Sequence, residues 1–445
     1  MEESDQQNDI PIDQSNVNNE NNEEIYASIS QLPQLTGAQY EEGGLYYVKP
    51  LPPLESHALY IYDPKLIESK IKNHIEYSMG GQDLNDPITR RYSDFYSLRE
   101  KLVERWPGVY IPNIPGKKVI KNTETKTINM RMRLINRFLD KLSKIKYLYN
   151  SEETQLIKAN TSDCAKNIEK LKKLSYLEKL ERYQSAFPDY YENYDVILGK
   201  GKVNDFLQFA KATQTNLNNF SKAIQNALVK RELEKLKYIE LLSSIQEYEK
   251  YNIMEYADND DNKLVFFNPN NANLTDKILK VKEKIFNSFA SLKEWVEGEI
   301  LDVNALLEAL NGINNLNIAL EKLTNKITSI ENDIKKMQYN QKNLNFLKTF
   351  FKKKEDIISD LEKDKIKCEE DVTNLSALIK IVTFNMEGFI ETYKAEKVDD
   401  YYRNLKLFII YQKENNRVMQ ELWSEVKTIL NSNKNINNLE ENFNK

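Results

Sequence analysis

Hydrophobic and polar positions along this chain follow two different periods. Between residues 58 and 92 apolar residues alternate with polar ones. Ala58-Leu59-Tyr60-Ile61-Tyr62, His74-Ile75-Glu76-Tyr77 and Ile88 to Tyr92 read as strands, the last two joined as a hairpin through the turn-rich residues 80–87. Helical spacing follows over 95–105 and 127–142. From about residue 203 it dominates: Phe206, Ala210, Thr213, Leu217, Phe220, Ile224 and Leu228 step by three or four, as do Leu320, Leu323, Ile327, Ile330 and Ile334. The most regular run is Val372, Leu375, Ile379, Val382, Met386, Phe389 and Tyr393. A repeat near 3.5 residues marks a seam between long helices packed at a shallow angle. A polar loop over 257–274 and a break over 343–349 divide this half into three helices, roughly 203–256, 275–342 and 350–435. The pattern predicts an α+β domain followed by an all-α domain of three long helices. A helical hairpin that thin exposes too much apolar seam to stand alone, so a partner chain is expected.

The stretches between the domains have their own character. Residues 1–48 hold ten Asp or Glu and no Lys or Arg, with many Asn and Gln, so they cannot bury enough apolar area to offset chain entropy and are expected to be a disordered tail. Residues 164–187 read as one basic amphipathic helix ended by Pro188. Lys166, Lys170, Lys172, Lys173, Lys179 and Arg182 lie on one side, and Ile168, Leu171, Leu174, Leu177 and Leu180 on the other. Such a helix can lie in a membrane interface, or it can pack its leucines against a neighbouring domain. Phe206-Leu207-Gln208-Phe209 is a second candidate wedge. The preceding Gly199-Lys200-Gly201-Lys202 lacks the spacing of a phosphate loop and takes no nucleotide role.

Composition removes several function classes. Ten of the twelve prolines precede residue 116, which leaves the C-terminal half free to stay helical. Two distant cysteines, Cys164 and Cys368, offer neither a disulfide framework nor zinc spacing and fit a reducing compartment. His57 and His74 are the only histidines, and neither lies near a nucleophile motif. No catalytic residue, metal site or cofactor is expected. No apolar run approaches the ~20 residues that span a bilayer, and no signal peptide is evident, so membrane contact is expected to be peripheral. The chain carries 63 Lys or Arg against 68 Asp or Glu. Between Arg90 and Lys146, however, fifteen bases face five acids, a net of +10. A basic island on an acidic protein fits an anionic surface, and the acidic remainder argues against nucleic acid.

Within the island, Arg90-Arg91-Tyr92-Ser93-Asp94-Phe95 carries two guanidinium groups and a ring from a strand into a helix. Pro112-Asn113-Ile114-Pro115-Gly116-Lys117 forms an extended loop ending in a lysine. A planar donor fork, a mobile ammonium and a flat ring describe a pocket for a phosphorylated, ring-shaped headgroup.

These runs, with Trp106-Pro107-Gly108-Val109-Tyr110-Ile111-Pro112, Arg131 and Ile135-Asn136-Arg137-Phe138, resemble the phox-homology (PX) domain of the sorting nexins over residues 54–160. The resemblance implies a three-stranded antiparallel sheet packed on helices, with phosphatidylinositol 3-phosphate as ligand. It places Arg91 on the 3-phosphate, Tyr92 under the inositol ring, Lys117 at the 1-phosphate and Arg131 on the 4- and 5-hydroxyls. Arg90 is assigned to the fold or the membrane face. Gly116 stands where the family often has a second proline. After a linker over 161–200, residues 201–438 resemble in length and helix count the Bin/amphiphysin/Rvs (BAR) domain that follows PX in one sorting-nexin branch. That implies a crescent-shaped homo- or heterodimer on curved membrane.

The interval from Lys335 to Lys354 holds seven lysines and no acid, with Phe346, Phe350 and Phe351 interleaved. Lys348, Lys352, Lys353 and Lys354 are the expected membrane contacts at the hairpin apex. The resulting expectation is a non-enzymatic, cytoplasmic protein, peripheral on endosomal membranes, that binds the lipid and senses or induces curvature in protein transport. The alternative is a coiled-coil scaffold or tether whose PX domain binds a protein.

Overall fold

The computed structural model describes residues 38–39, 47–48, 58–68, 73–116, 125–188, 193–268, 271–285, 287–338 and 354–432. A short ribbon pairs β1 (Ala38–Gln39) with β2 (Tyr47–Val48). The rest of the predicted acidic tail, His57, Lys117 and the lysine-rich interval 339–353 lie outside the described residues.

Three strands, β3 (Tyr60–Ile67), β4 (His74–Gly80) and β5 (Ile88–Arg91), form an antiparallel sheet in the order β3-β4-β5. Ile61 lies opposite Met79, and Tyr77 opposite Arg90. The β3–β4 register shifts between Tyr62 and Lys65, where Asp63 takes a left-handed φ of 47°. The hairpin loop turns at Gly81, whose φ is +145°; a Cβ there would lie 2.2 Å from the Ala58 carbonyl oxygen. Only glycine fits that approach.

Leu59, Ile61, Tyr77, Met79 and Ile88 join one buried core with Phe95, Leu98 and Leu102 of α1 (Tyr92–Arg105) and Ile135, Phe138 and Leu139 of α2 (Thr125–Lys144). Asn136 stitches α2 to β3: its Nδ2 donates to the Ile61 carbonyl at 3.0 Å, and its Oδ1 accepts from the Ile61 N–H at 2.7 Å. Next come α3 (Lys146–Tyr149) and α4 (Glu152–Lys158). On α4 the buried Glu153 receives Arg182 through two bonds of 2.6 and 2.8 Å and Arg105 at 2.9 Å.

The linker differs from the single amphipathic helix predicted over 164–187. It is two helices, α5 (Cys164–Glu169) and α6 (Tyr176–Ala186). The break has a local cause, because Ser175 and Glu178 form a capping box that starts a new helix. Of the predicted apolar face, Ile168 and Leu180 are buried in the core, while Leu177 is exposed. The packing alternative therefore holds for Ile168 and Leu180, while Leu171 and Leu174 are half-buried.

Long helices follow: α7 (Val196–Tyr248), α8 (Ala272–Lys284), α9 (Ser288–Gln338) and α10 (Lys354–Ser432). The first helix starts earlier than the pattern predicted, with Asp195 accepting from the N–H groups of Ile197 and Leu198 at 2.9 and 3.1 Å. The predicted second helix is interrupted before Ser288. There Asn287 is buried, donating to the Leu228 carbonyl at 2.7 Å and accepting from the Phe289 N–H at 3.2 Å. A side chain that satisfies backbone groups on two segments can replace a helical turn.

The described chain forms two compact units. One comprises residues 38–221 with 294–404, and the other 222–293 with 405–432. In the second, Leu242, Leu274, Ile278, Val281 and Leu422 make a small core. The buried Glu249 there, at a π-helical turn (Glu249–Ile253), accepts the N–H groups of Val265, Phe266 and Phe267 at 2.7–3.1 Å. In the first unit, the sheet, α1 and α2 share one continuous core with α9 and α10. The regular seam of α10 is filled from within this chain: Leu375, Ile379, Val382, Met386 and Tyr393 are buried. Helical period alone had no means to show that an α+β domain, rather than only helices, covers it.

Candidate functional site

Strand alternation decides the roles of the two neighbouring arginines. On β5, Ile88 and Arg90 point inward while Thr89 and Arg91 point outward. Arg90 is buried and donates to the carbonyls of Ile157 at 3.0 Å, Thr89 at 2.7 Å and Thr161 at 3.3 Å, and also to that of Ala159. Its donors are committed to closing the end of α4. Arg91 keeps 46% of its side chain exposed. It is held by its own backbone N–H, which donates to the Asp94 carboxylate at 2.9 Å, and by Nε lying 3.8 Å from the same group. Asp94 thereby caps α1 and steadies the one guanidinium that faces outward.

Tyr92 and Arg131 meet directly. The Arg131 guanidinium, on α2, lies 4.5 Å from the Tyr92 ring centroid. The Tyr92 hydroxyl donates to the Pro115 carbonyl, so the ring holds the proline loop immediately before Gly116 and Lys117. Burial pushes the Tyr92 hydroxyl up to about 12, with Arg131 opposing, and the group stays a neutral donor at physiological pH. Of the four residues expected at a headgroup, the structure brings Tyr92 and Arg131 into contact and presents Arg91 next to Tyr92 in sequence on the exposed side of β5. Lys117 lies beyond the described residues.

The segment from Pro107 to Pro115 is tied down along its length. Tyr183 Oη donates to the Pro107 carbonyl at 2.7 Å. Gly108, at φ +84°, lies against α9, where a Cβ on Gly312 would be 2.6 Å from the Gly108 nitrogen. The Tyr110 ring stacks on Phe389 at 4.9 Å, and its hydroxyl donates to Asp302 at 3.1 Å. Arg99 Nε donates to the Pro112 carbonyl at 3.1 Å, while its Nη2 pairs with Glu308 on α9.

Part of the basic island is also paired within the chain. Arg99 pairs with Glu308, Arg105 with Glu152 and Glu153, and Arg133 with Glu294 and Glu297. Arg137 and Lys141 converge on the buried Asp302, as does Lys397 from α10, at 2.9 Å for Arg137 and 2.6 Å for Lys397. Lys397 also binds Glu299 at 2.9 Å. Much of the +10 charge therefore faces acids of the same chain. Burial would raise the Asp302 carboxyl, but Lys397, Arg137 and Lys141 outweigh it and hold it far below the usual carboxylate range. Apart from Glu152 and Glu153 on α4, these acids sit on α9, 161 to 209 residues away in sequence, and no local pattern announces them.

Other expected features are also resolved. Phe206 and Leu207 of the second candidate wedge are buried, while Gln208 and Phe209 are exposed. Among the described residues, the most exposed neighbouring apolar pair is Ile197 and Leu198, at 81% and 61%, in the first turn of α7. The Asp195 cap that fixes this turn was the missed signal. Lys348, Lys352 and Lys353 lie outside the described residues, and nothing is described of the Lys354 side chain at the start of α10. Cys164 and Cys368 are buried and unbonded to each other, with the Cys164 thiol pushed up to about 11 by burial. His74 pairs with Glu76 at 3.2 Å. Among the described residues no cluster of metal-ligating side chains occurs, and no helix is long and apolar enough to cross a membrane.

Known proteins share this architecture. Residues 79–156 match the PX domain family. Sorting nexin-41 of Kluyveromyces lactis is 39% identical over 72 residues, covering 14% of this chain and 12% of that protein. Vacuolar protein sorting-associated protein vps5 of Schizosaccharomyces pombe is 31% identical over 91 residues, covering 19% and 16%. The chain thus spans less than a fifth of the length of these relatives. The cryo-EM structure of the SNX-BAR Mvp1 tetramer superposes with a TM-score of 0.51 at 13% identity, over 83% of this chain and 99% of that one. The match reaches through the long helices as well as the sheet. The chain carries a PX domain over residues 79–156, and its fold is similar to that of an SNX-BAR protein.

Proposed function

We propose that this chain is a non-enzymatic peripheral protein of endosomal membranes that binds phosphatidylinositol 3-phosphate and acts as a dimer in curvature-linked sorting. The observation that carries the reading is the Tyr92 cluster. One ring receives the Arg131 guanidinium, anchors the proline loop through Pro115, and adjoins the outward Arg91. Arg91 supplies a donor fork for the 3-phosphate, and Arg131 supplies donors for ring hydroxyls as it leaves the tyrosine face. Lys117 follows the anchored Pro115 by two residues and meets the 1-phosphate.

Dimerisation is supported by apolar side chains that the long helices leave in water. Val398, Tyr401 and Tyr402 are exposed in the first unit, and Leu233, Leu236 and Leu241 in the second. Two headgroup sites on one dimer act together without any new contact.

Replacing Arg91 with Ala removes a charge-assisted contact worth about 1.5–3 kcal/mol, so binding to vesicles containing phosphatidylinositol 3-phosphate should weaken roughly 10- to 100-fold. Unchanged flotation would reject the pocket and leave the scaffold reading standing. Lys348, Lys352, Lys353 and Lys354 are proposed to reach an anionic leaflet, each worth on the order of 1 kcal/mol. Changing Lys352, Lys353 and Lys354 to Glu should therefore suppress tubulation of anionic vesicles while leaving binding of the soluble headgroup intact. Normal tubules would remove the cluster from the mechanism.

A further inference from the structure

The headgroup site and the long helices are joined by a strap. Two side chains tie residues 110–112 to α9 in different ways. Tyr110 reaches Asp302 at 3.1 Å from the strap itself. Arg99 reaches across, with Nε on the Pro112 carbonyl at 3.1 Å and Nη2 on Glu308. Three residues further on, the Pro115 carbonyl accepts from Tyr92, which carries Arg131 on its ring. Ile111 and Ile114 are buried between these anchors, so the strap has no slack to absorb a displacement at either end. Asp302 is in turn shared with Lys397 of α10. One chain of direct contacts therefore runs from α10, through Asp302 and Tyr110, along the strap to the headgroup loop.

From this geometry we infer that Tyr110, Arg99 and Asp302 are positioning residues through which the helical scaffold sets the headgroup loop. Lipid occupancy and the docked arrangement of α9 and α10 then favour each other. The inference rests on the headgroup reading of the Tyr92 cluster. Coupling of this kind is reciprocal, so each end must report on the other.

The test uses the full chain and the soluble lipid dibutanoyl phosphatidylinositol 3-phosphate. Amide hydrogen exchange with and without this lipid should show slowed exchange in 107–116 and also in 298–313, which do not touch the headgroup. Slowing confined to 88–96 and the turn around Arg131 would overturn the coupling. In calorimetric titration, Tyr110→Phe keeps the ring on Phe389 but loses the bond to Asp302. It should lower affinity roughly threefold to tenfold, the share of one hydrogen bond. Arg133→Ala removes a contact to Glu294 and Glu297 that lies off the strap, and should leave affinity unchanged. Equal losses in both variants would reduce the effect to general loosening and overturn the strap. If Arg91→Ala also binds normally, the headgroup reading itself fails, which separates that outcome from a failure of the coupling alone.

Discussion

Asp302→Asn should be strongly destabilising. The carboxylate is 2% exposed, and it faces Arg137, Lys141, Lys397 and the Tyr110 hydroxyl. Without its charge, Arg137 and Lys397 keep Glu299, at 3.9 and 2.9 Å, while Lys141 loses its ion pair. Removing one member of a buried ion cluster costs about 3–5 kcal/mol; because the three cations keep part of their side chains in water, about 3 kcal/mol is the better figure here. That corresponds to a fall of roughly 5–10 °C in thermal midpoint.

The pH dependence has a definite sign. The folded Asp302 carboxyl titrates below its unfolded value of about 3.9, so its stabilisation is fully present above that pH and is lost as pH falls toward the folded value. Glu299 is pushed the other way by burial, and it is present in both proteins. The urea midpoints of parent and Asp302→Asn should therefore differ by a constant amount from pH 7 to 5 and converge below about pH 4. A gap that persists or widens in acid would show that shape, rather than charge, is what Asp302 contributes.

Two helical glycines should respond to alanine with opposite signs. In a helix interior, alanine normally gains about 1 kcal/mol over glycine. Gly388 on α10 has nothing within 4 Å of a built Cβ, so Gly388→Ala should show that gain. On α9, a Cβ at Gly312 would lie 2.6 Å from the Gly108 nitrogen and 3.1 Å from its Cα, and neither is a side chain that can step aside. Overpacking costs typically 1–3 kcal/mol, so Gly312→Ala should be destabilising despite its better propensity, and Gly312→Leu should separate the strap from α9. Thermal melts of the three variants decide the matter. A stabilised Gly312→Ala would mean that the two backbones are not held together in solution.

Legibility in the sequence followed the range of the forces involved. The three strands were visible because alternation is a two-residue signal, and α1 was legible over 95–105, three residues inside its observed start at Tyr92. The outward direction of Arg91 and the inward direction of Arg90 follow from the same alternation. The division of the linker at Ser175 was equally local, since Ser175 and Glu178 have the spacing of a capping box, yet the run of leucines masked it. The dock was not legible as a dock. Its trace on α9 is Gly298, Asp302, Ala305, Ala309 and Gly312, spaced by four and three, a row of small residues with one acid among them. That row shows where a backbone can come close without saying which one does.

By itself, then, the sequence determined the α+β domain, the long helices, and the residue types gathered around Tyr92, because each depends on neighbours a few positions apart. Tertiary structure alone decided where the basic charge went. Arg99, Arg133, Arg137 and Lys141 are spent on acids of α9, and only the folded chain makes partners of groups so distant along it. Charge acts through space, and the distances between these groups are set by packing, which no linear spacing encodes.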